Sequence, residues 1–459
     1  MAQARKIDST QIDFLADFSS TLSFVDIPKP VIDAAKRFLA DTCAVAIASK
    51  VAPSTEAIIK TAKQWDGGAN GTARVLGEKD LLLTPANAAF VNGYKAHCLE
   101  WDALHEDGIA IAFCTPIGAL HAECESREVS GKRFLSAVIA AAEFFILLGL
   151  GSGSTANFFR PSAGGTISAA IAIAHIRNYS PEMTKRTIGL AYSLASGTMQ
   201  AHWEGVATLA MQVGTAARNA IYAADLAAND IAAPSDIFSG RFGFYSIFEK
   251  PGNFNQRLKG LGTNWHLPEV AYKPFPCGRA TQGVLTMLRE MNTEGDIHHA
   301  RIETINVIAP PLISVLVNRP IKPEMSPSYA RLCLPYILAL YLSDGENNPC
   351  KFGNIVRPTD QEYSIANKLN FITNQQLASN ILAPIEMTIN MRDGKTLHQV
   401  CQSPWGAPDN PFTDRHLLEK IEKCLEYGTL NATPENFLSQ FLQLEHSSDL
   451  KTATNLLYT

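Results

Sequence analysis

The stretch HCLEWDALHEDG, His97 to Gly108, holds two His, two Glu and two Asp in twelve residues. These side chains could ligate a metal, move protons, or solvate a helix end. Zinc or iron needs several His, Cys or carboxylate groups converging at about 2 Å from one ion. His97 and Glu100 are three residues apart, as are Asp102 and His105. On one continuous helix the two pairs face different directions, so convergence would require the helix to break. The chain has no HExxH and no second His/Asp cluster, and no metal is expected. Proton transfer suits the stretch better. Glu100 and Asp102 follow the apolar AAFVNGYKA, and burial beside a like charge raises a carboxyl pKa into a useful range. A solvated helix end, with Glu106 and Asp107 as loop, is the plain alternative.

Two further stretches offer cations. In YKPFPCGRATQG, Lys273 and Arg279 flank a Pro/Cys/Gly turn. Burial there would lower the lysine pKa and make it a base, and Arg279 could clamp a carboxylate bidentately. The alternative is two surface cations on a linker. In NFFRPSAGGTIS, Arg160 precedes Ser162, Gly164 and Gly165 at a helix start, where free N–H groups favour an anion. It matches neither a Walker A loop nor GxGxxG, so nucleotide binding is not supported. Cys114 and the lone His202 read by themselves as core residues.

These groups need elements to hold them. From Asp13 to about Ala232 the chain is rich in Ala and carries apolar residues at helical spacing, as in PKPVIDAAKRFLADTCAVAIAS. Small residues let helices approach closely, which predicts a large all-helical domain. The texture changes after residue 266. ARIETINVIAP alternates like a strand, and APIEMTINMRDGKTLHQVC reads as a hairpin turning at Asp393-Gly394. SPSYARLCLPYILALYLSDG between them predicts a buried helix ending near Gly345. The tail returns to amphipathic helices. The expected architecture is therefore mainly α: residues 1–266 with 402–459 as the helical domain, and 267–401 as a smaller α+β lid.

Composition narrows the partners. A formal net charge of -5 gives no basic surface for nucleic acid. Nine Cys with no CxxC pair argue against disulfides or a zinc ribbon and for a reducing compartment. The first residues lack the apolar core of a signal peptide. FLSAVIAAAEFFILLGLG is interrupted by Glu143 and short of the ~20 apolar residues of a bilayer span. A buried core helix in a cytoplasmic protein, with no membrane partner, is expected.

Taken in order, the motifs resemble the MmgE/PrpD family over nearly the whole chain. They are NGYKAHCLEWDA, RPSAGGTISAA, VGTAARNAIYAADLA, YKPFPCGRATQG and RPIKPEMSPSYARLCLPYILALYLSDG. The resemblance implies a helical domain and a lid with the active site between them, a homodimer, and no metal or organic cofactor. It implies chemistry that moves a proton on carbon beside a carboxylate of a small di- or tricarboxylic acid. The catalytic acid then falls on Glu100, with Asp102 beside it, the lid lysine on Lys273 and a lid tyrosine on Tyr336. Several positions depart from the family pattern. Arg160 stands where the family has histidine, Cys114 where it has a second, Leu209 for a lysine, Ala103 for an acid and Gln282 for a third histidine. Arg160 does not act as an acid at neutral pH but can bind a carboxylate. His105 is a candidate replacement for a lost imidazole.

The expected function is a cofactor-independent lyase, a dehydratase or decarboxylase. Catalysis falls to Lys273, Glu100, Tyr336 and His105. Substrate binding falls to Arg160, Arg279, Asp102 and Cys114. An epimerase of an iminodisuccinate-like dicarboxylate is the first alternative, since a lysine and one other acid can suffice there. A non-catalytic carboxylate-binding relative is the second.

Overall fold

The computed structural model describes residues 10–153, 158–292 and 297–458. The first nine residues, part of the stretch read as lacking a signal peptide, lie outside them. So does Asn157, which opens the Arg160 stretch.

The body is helical. It contains α1 (Lys29–Ala48), α2 (Pro85–His97), α3 (Cys114–Cys124), α4 (Gly131–Leu150), α5 (Arg160–Ile176) and α6 (Thr208–Ala228). Proline in the first turn starts α1, α2 and α5, where its missing N–H costs nothing and its φ is already helical. The small residues do what their pattern predicts. A Cβ on Gly93 of α2 would lie 3.0 Å from the Gly214 Cα of α6, and one on Gly118 of α3 would lie 2.6 Å from the Gly93 nitrogen. Three helices therefore meet backbone to backbone, and any side chain at Gly118 would push them apart. The body is not purely helical: Ala73–Arg74 pairs with Leu82–Leu83 in a short antiparallel ladder.

Helix α4 is the one described helix long and apolar enough to cross a membrane by composition, and it is mostly buried within the protein. Its one charged core residue has a role. Glu143 accepts hydrogen bonds from the backbone N–H groups of His266 and Leu267, at 2.9 and 2.7 Å. It thereby pins the chain where it leaves the body for the lid. Burial pushes its carboxyl up to about 7, against the pull of those two donors.

The lid carries a four-stranded mixed sheet. Its strands are β1 (Ile302–Ala309), β2 (Leu369–Thr373), β3 (Ile385–Met391) and β4 (Thr396–Cys401), in spatial order β2-β1-β3-β4. β1 and β2 are parallel and the other pairs antiparallel. Ile305 faces Ile389 and Val307 faces Met387 in register, all four buried. This period-two alternation fixes which face meets the core. The turn between β3 and β4 uses Gly394 at φ 86°. Strand β2 had no clear signal, because its residues are only half-buried.

In the lid, helix α7 (Arg279–Met291) packs on strands β3 and β4, and α8 (Pro311–Val317) and α9 (Leu334–Asp344) pack on α7. The long helix expected over 326–345 is two helices, Pro327–Arg331 and α9, with a break at Leu332–Cys333 just before Pro335. Pro335 cannot continue the hydrogen-bond ladder from the first into the second. α9 ends as predicted at Gly345, left-handed at φ 76°. The tail helix α10 (Asp414–Gly428) packs on α1. Its Lys420 pairs with Asp41 of α1 at 2.7 Å and donates to the Trp101 carbonyl at 2.8 Å. Two separate apolar cores result. One joins residues from Ile12 to Val270 with Leu332 and with Leu417 to Tyr458, and the other is drawn from Phe275 to Cys401.

Candidate active site

The sequence stretches with chemical potential meet between body and lid because α2 stops at His97. Glu100 then takes a left-handed φ of 54°, an uncommon state for a residue with a side chain. This reversal leads the chain to Leu104, which pairs with Ala271 through two backbone bonds of 3.0 and 2.8 Å. Two residues beyond Ala271, Lys273 comes to lie over the acidic turn. The helix does break, so the premise used against convergence is corrected.

A cavity of about 380 Å³ opens there, lined at its inner end by His97, Glu100, Arg160, His202, Lys273 and Arg279. Lys273 is fully buried and donates to Glu100 at 3.2 Å and to Asp102 at 3.5 Å. Burial alone would lower its pKa, but the Asp102 and Glu100 carboxylates outweigh that and raise it. The expectation of a lysine depressed into a base is therefore corrected: Lys273 rests as an ammonium. Burial works against the Asp102 charge too, yet Lys273, His97 and the Cys114 thiol together hold its carboxyl well below the usual range.

His97, which the sequence left out of the site, is central. Its Nδ1 lies 3.0 Å from Asp102, and its Nε2 lies 3.5 Å from Glu100 without a hydrogen bond of its own. Burial favours the neutral ring, but Asp102 and Glu100 overcome it and raise the pKa. His202, read as core, also lines the cavity. Burial pushes its pKa down to about 4. The site thus holds one imidazole biased toward the charged form and one kept neutral. Such a divergence is how one cavity supplies both acid and base near neutral pH.

Other predicted residues sit differently. Arg160 grips the chain's own Glu249, Nε at 2.5 Å and Nη2 at 2.9 Å, while Nη1 donates to the Gly108 carbonyl. Its guanidinium is at the cavity wall, but the carboxylate it clamps is internal. Glu249 carries no sequence pattern that would have disclosed it. Gly164 and Gly165 do not form an anion loop. A Cβ on either would strike Leu148 at 2.6 Å or Thr115 at 2.7 Å, so they let α5 pack against α4 and α3. Arg279 pairs with Glu106 at 2.8 Å, so Glu106 is more than loop, while its Nη2 has no partner. Cys114 lies behind the wall, its thiol donating to Asp102 and to the Ala96 carbonyl, each at 3.3 Å.

His105 and Tyr336 are not among the lining residues. His105 Nε2 meets Glu269 at 3.0 Å and its Nδ1 accepts from the Gly108 N–H at 3.0 Å, so both ring nitrogens are engaged away from the cavity. Tyr336 is buried in the lid core with its ring edge-on to Phe352. Gln282, at the position of a family histidine, holds the Lys273 turn by donating to the carbonyls of Phe275 and Cys277 at 2.9 and 3.1 Å.

Two groups place three potential ligand atoms within 4.8 Å of one another, His97/Asp102/Cys114 and His105/His266/Glu269. Neither fits a metal well. In the first, the Lys273 ammonium sits 3.5 Å from Asp102 and would repel a cation. In the second, His105 Nδ1 accepts a backbone N–H, so Nε2 must carry the ring proton and has no lone pair to offer.

The MmgE/PrpD N-terminal domain matches residues 13–257. The chain belongs to the MmgE/PrpD family. The family's C-terminal domain matches residues 275–439, which takes in the sheet-bearing lid and also the tail helix α10. Similar proteins include the human cis-aconitate decarboxylase, 26% identical over 93% of this chain and 90% of the relative. The cis-aconitate decarboxylase-like protein oryM of Aspergillus oryzae is 23% identical, with 95% of each chain covered. The cis-aconitate decarboxylase of Aspergillus terreus is 22% identical over 96% of this chain and 95% of its own. MmgE/PrpD relatives thus include lyases that act on a tricarboxylic acid.

Proposed function

We propose that this MmgE/PrpD protein is a lyase that removes carbon dioxide or water from a carboxylic acid through proton transfer at the carbon beside a carboxylate. The observation that carries the reading is the convergence of Lys273, His97, Glu100 and His202 on one cavity. The Lys273 ammonium anchors a substrate carboxylate and stabilises negative charge as it develops on the neighbouring carbon. His97, held by Asp102 through Nδ1, presents Nε2–H as the acid. In a decarboxylation the C–C bond breaks, its electron pair passes into the conjugated carboxylate system, and carbon collects the His97 proton. In a dehydration the neutral His202 or Glu100 takes the carbon-bound proton and His97 protonates the departing hydroxide. The reading needs no cofactor, and a homodimer and a cytoplasmic setting accord with it.

The relatives that match over nearly their whole length are decarboxylases, which supports a lyase over an epimerase. A non-catalytic role would not require an ammonium buried against two carboxylates. The test is product analysis: incubate the protein with a panel of unsaturated and hydroxylated di- and tricarboxylates and follow product mass. Loss of 44 or 18 mass units, from carbon dioxide or water respectively, is expected for at least one acid. Inversion without mass change, or no change with any acid, overturns the lyase.

A further inference from the structure

Each lysine or arginine that lines the cavity already faces a carboxylate of the chain. Lys273 has Glu100 and Asp102, Arg160 has Glu249, and Arg279 has Glu106. With His97, biased toward the charged form, the lining cations only balance the four carboxylates, and Arg319 behind the lining is engaged by the carbonyls of His202 and Leu316, so no lining cation is left to meet a third substrate charge. Much of the remaining lining is hydrocarbon: Leu312, Val315 and Leu316 from α8, with Met199, Trp203 and Leu382. Val315 and Trp203 are 63% and 67% exposed, large apolar surfaces at the mouth of a cavity whose other end holds reactive charges. Exposed apolar surface continuous with a polar pocket marks a ligand groove.

We infer that the substrate is an amphiphilic acid, with no more than two carboxylates at the Lys273 end and an unbranched hydrocarbon tail of several carbons along α8. The inference rests on the proposed lyase reading for the placement of its head. The apolar wall has a simple energetic consequence. Each methylene moved from water onto it contributes about 0.8 kcal/mol, a three- to fourfold gain in affinity. The gain should continue until the tail passes Val315 and reaches solvent. A compact tricarboxylate gains nothing from this wall and brings a third charge that no free cation meets.

The test is a homologous series. Calorimetric titration of the full chain with 2-alkylsuccinates, from methyl to hexyl, should show the dissociation constant falling about threefold per methylene. Val315→Asp, at an exposed position and therefore tolerated by the fold, should flatten that series, and Leu316→Asp should flatten it further. cis-Aconitate should bind more weakly than hexylsuccinate. Equal affinity along the series, or cis-aconitate binding tighter than every alkyl acid, overturns the inference. Turnover of alkyl-substituted maleates, followed in parallel by product mass, separates the two readings. A chain-length trend without turnover of any acid supports the tail groove and removes the lyase. Turnover of compact acids without a chain-length trend keeps the lyase and removes the tail groove.

Discussion

At its inner end the cavity presents Lys273, Arg160 and Arg279, each engaged by carboxylates from the body or its first loop. Along its outer wall α8 presents the hydrocarbon side chains of Leu312, Val315 and Leu316, and the nearby Arg319 is turned to the carbonyls of Leu316 and His202. The inner end is a pre-assembled network in which each group is oriented by another: Asp102 holds His97, Cys114 holds Asp102, and Glu100 holds Lys273. The outer wall orients nothing and offers only area. On the reading proposed above, chemistry is concentrated in the loop after α2 and the Lys273 turn, and discrimination among acids is assigned to a seven-residue helix of the lid.

Breaking the inner end at its centre has the largest effect. Lys273→Met keeps the side chain's length but removes the ammonium, leaving Glu100 and Asp102 facing each other. Turnover should fall about 10²–10⁴-fold, measured by steady-state kinetics on whichever acid the mass screen identifies. Arg160→Gln is next and acts on stability. It leaves Glu249 buried without its partner, and urea unfolding should show a loss of about 3–5 kcal/mol. Adding Glu249→Gln should recover much of it, since neither buried charge then remains.

His97→Asn sharpens the account of the acid. The folded pKa of His97 lies above that of an unfolded imidazole. Its ion pair therefore stabilises fully below about pH 6.5, and that stability is lost as pH rises through the folded value. Activity that depends on the charged ring should decline over the same rise. In His97→Asn the alkaline limb of the kcat/KM profile should disappear. A limb that persists would assign the acid elsewhere.

The smallest effect lies outside the cavity. Glu143 prefers the neutral form in the folded protein, with its carboxyl raised to about 7. The folded state therefore binds a proton that the unfolded state releases, and stability falls as pH rises from the ordinary carboxylate range to about 7. Glu143→Gln should flatten that slope, by about 2–3 °C in Tm between pH 5 and pH 8.

Much of this architecture is legible in the sequence because its signals are local. Period-two alternation marks β1 and the β3–β4 hairpin, Gly394 and Gly345 mark their turn and helix end, and Ala/Gly content marks the tightly packed body. What is not legible depends on distant partners. The sequence brings Glu100 and Lys273 into view by motif, but their 3.2 Å contact spans 173 positions. His97 sits in the densest stretch, yet it was passed over because a continuous helix would turn it away from Asp102. Only the break at Cys98 and the left-handed Glu100 bring them together. Nothing local marks Glu249 as the partner of Arg160, and the apolar run of α8 has the composition of any core helix. Tyr336 follows from motif order, but α9 turns its ring into the lid core against Phe352.

The central claim is that protons move at carbon beside a carboxylate held by Lys273. Hydrogen isotopes at that carbon test it most directly. With the substrate found by mass screening, a decarboxylation run in D₂O by the wild-type chain should give product carrying deuterium at the carbon that receives the proton, whereas a dehydration of substrate deuterated beside the carboxylate should release that label to water; Lys273→Met should do little of either. A decarboxylation product free of deuterium, a dehydration product that keeps the label, or equal behaviour of wild type and Lys273→Met would contradict the account.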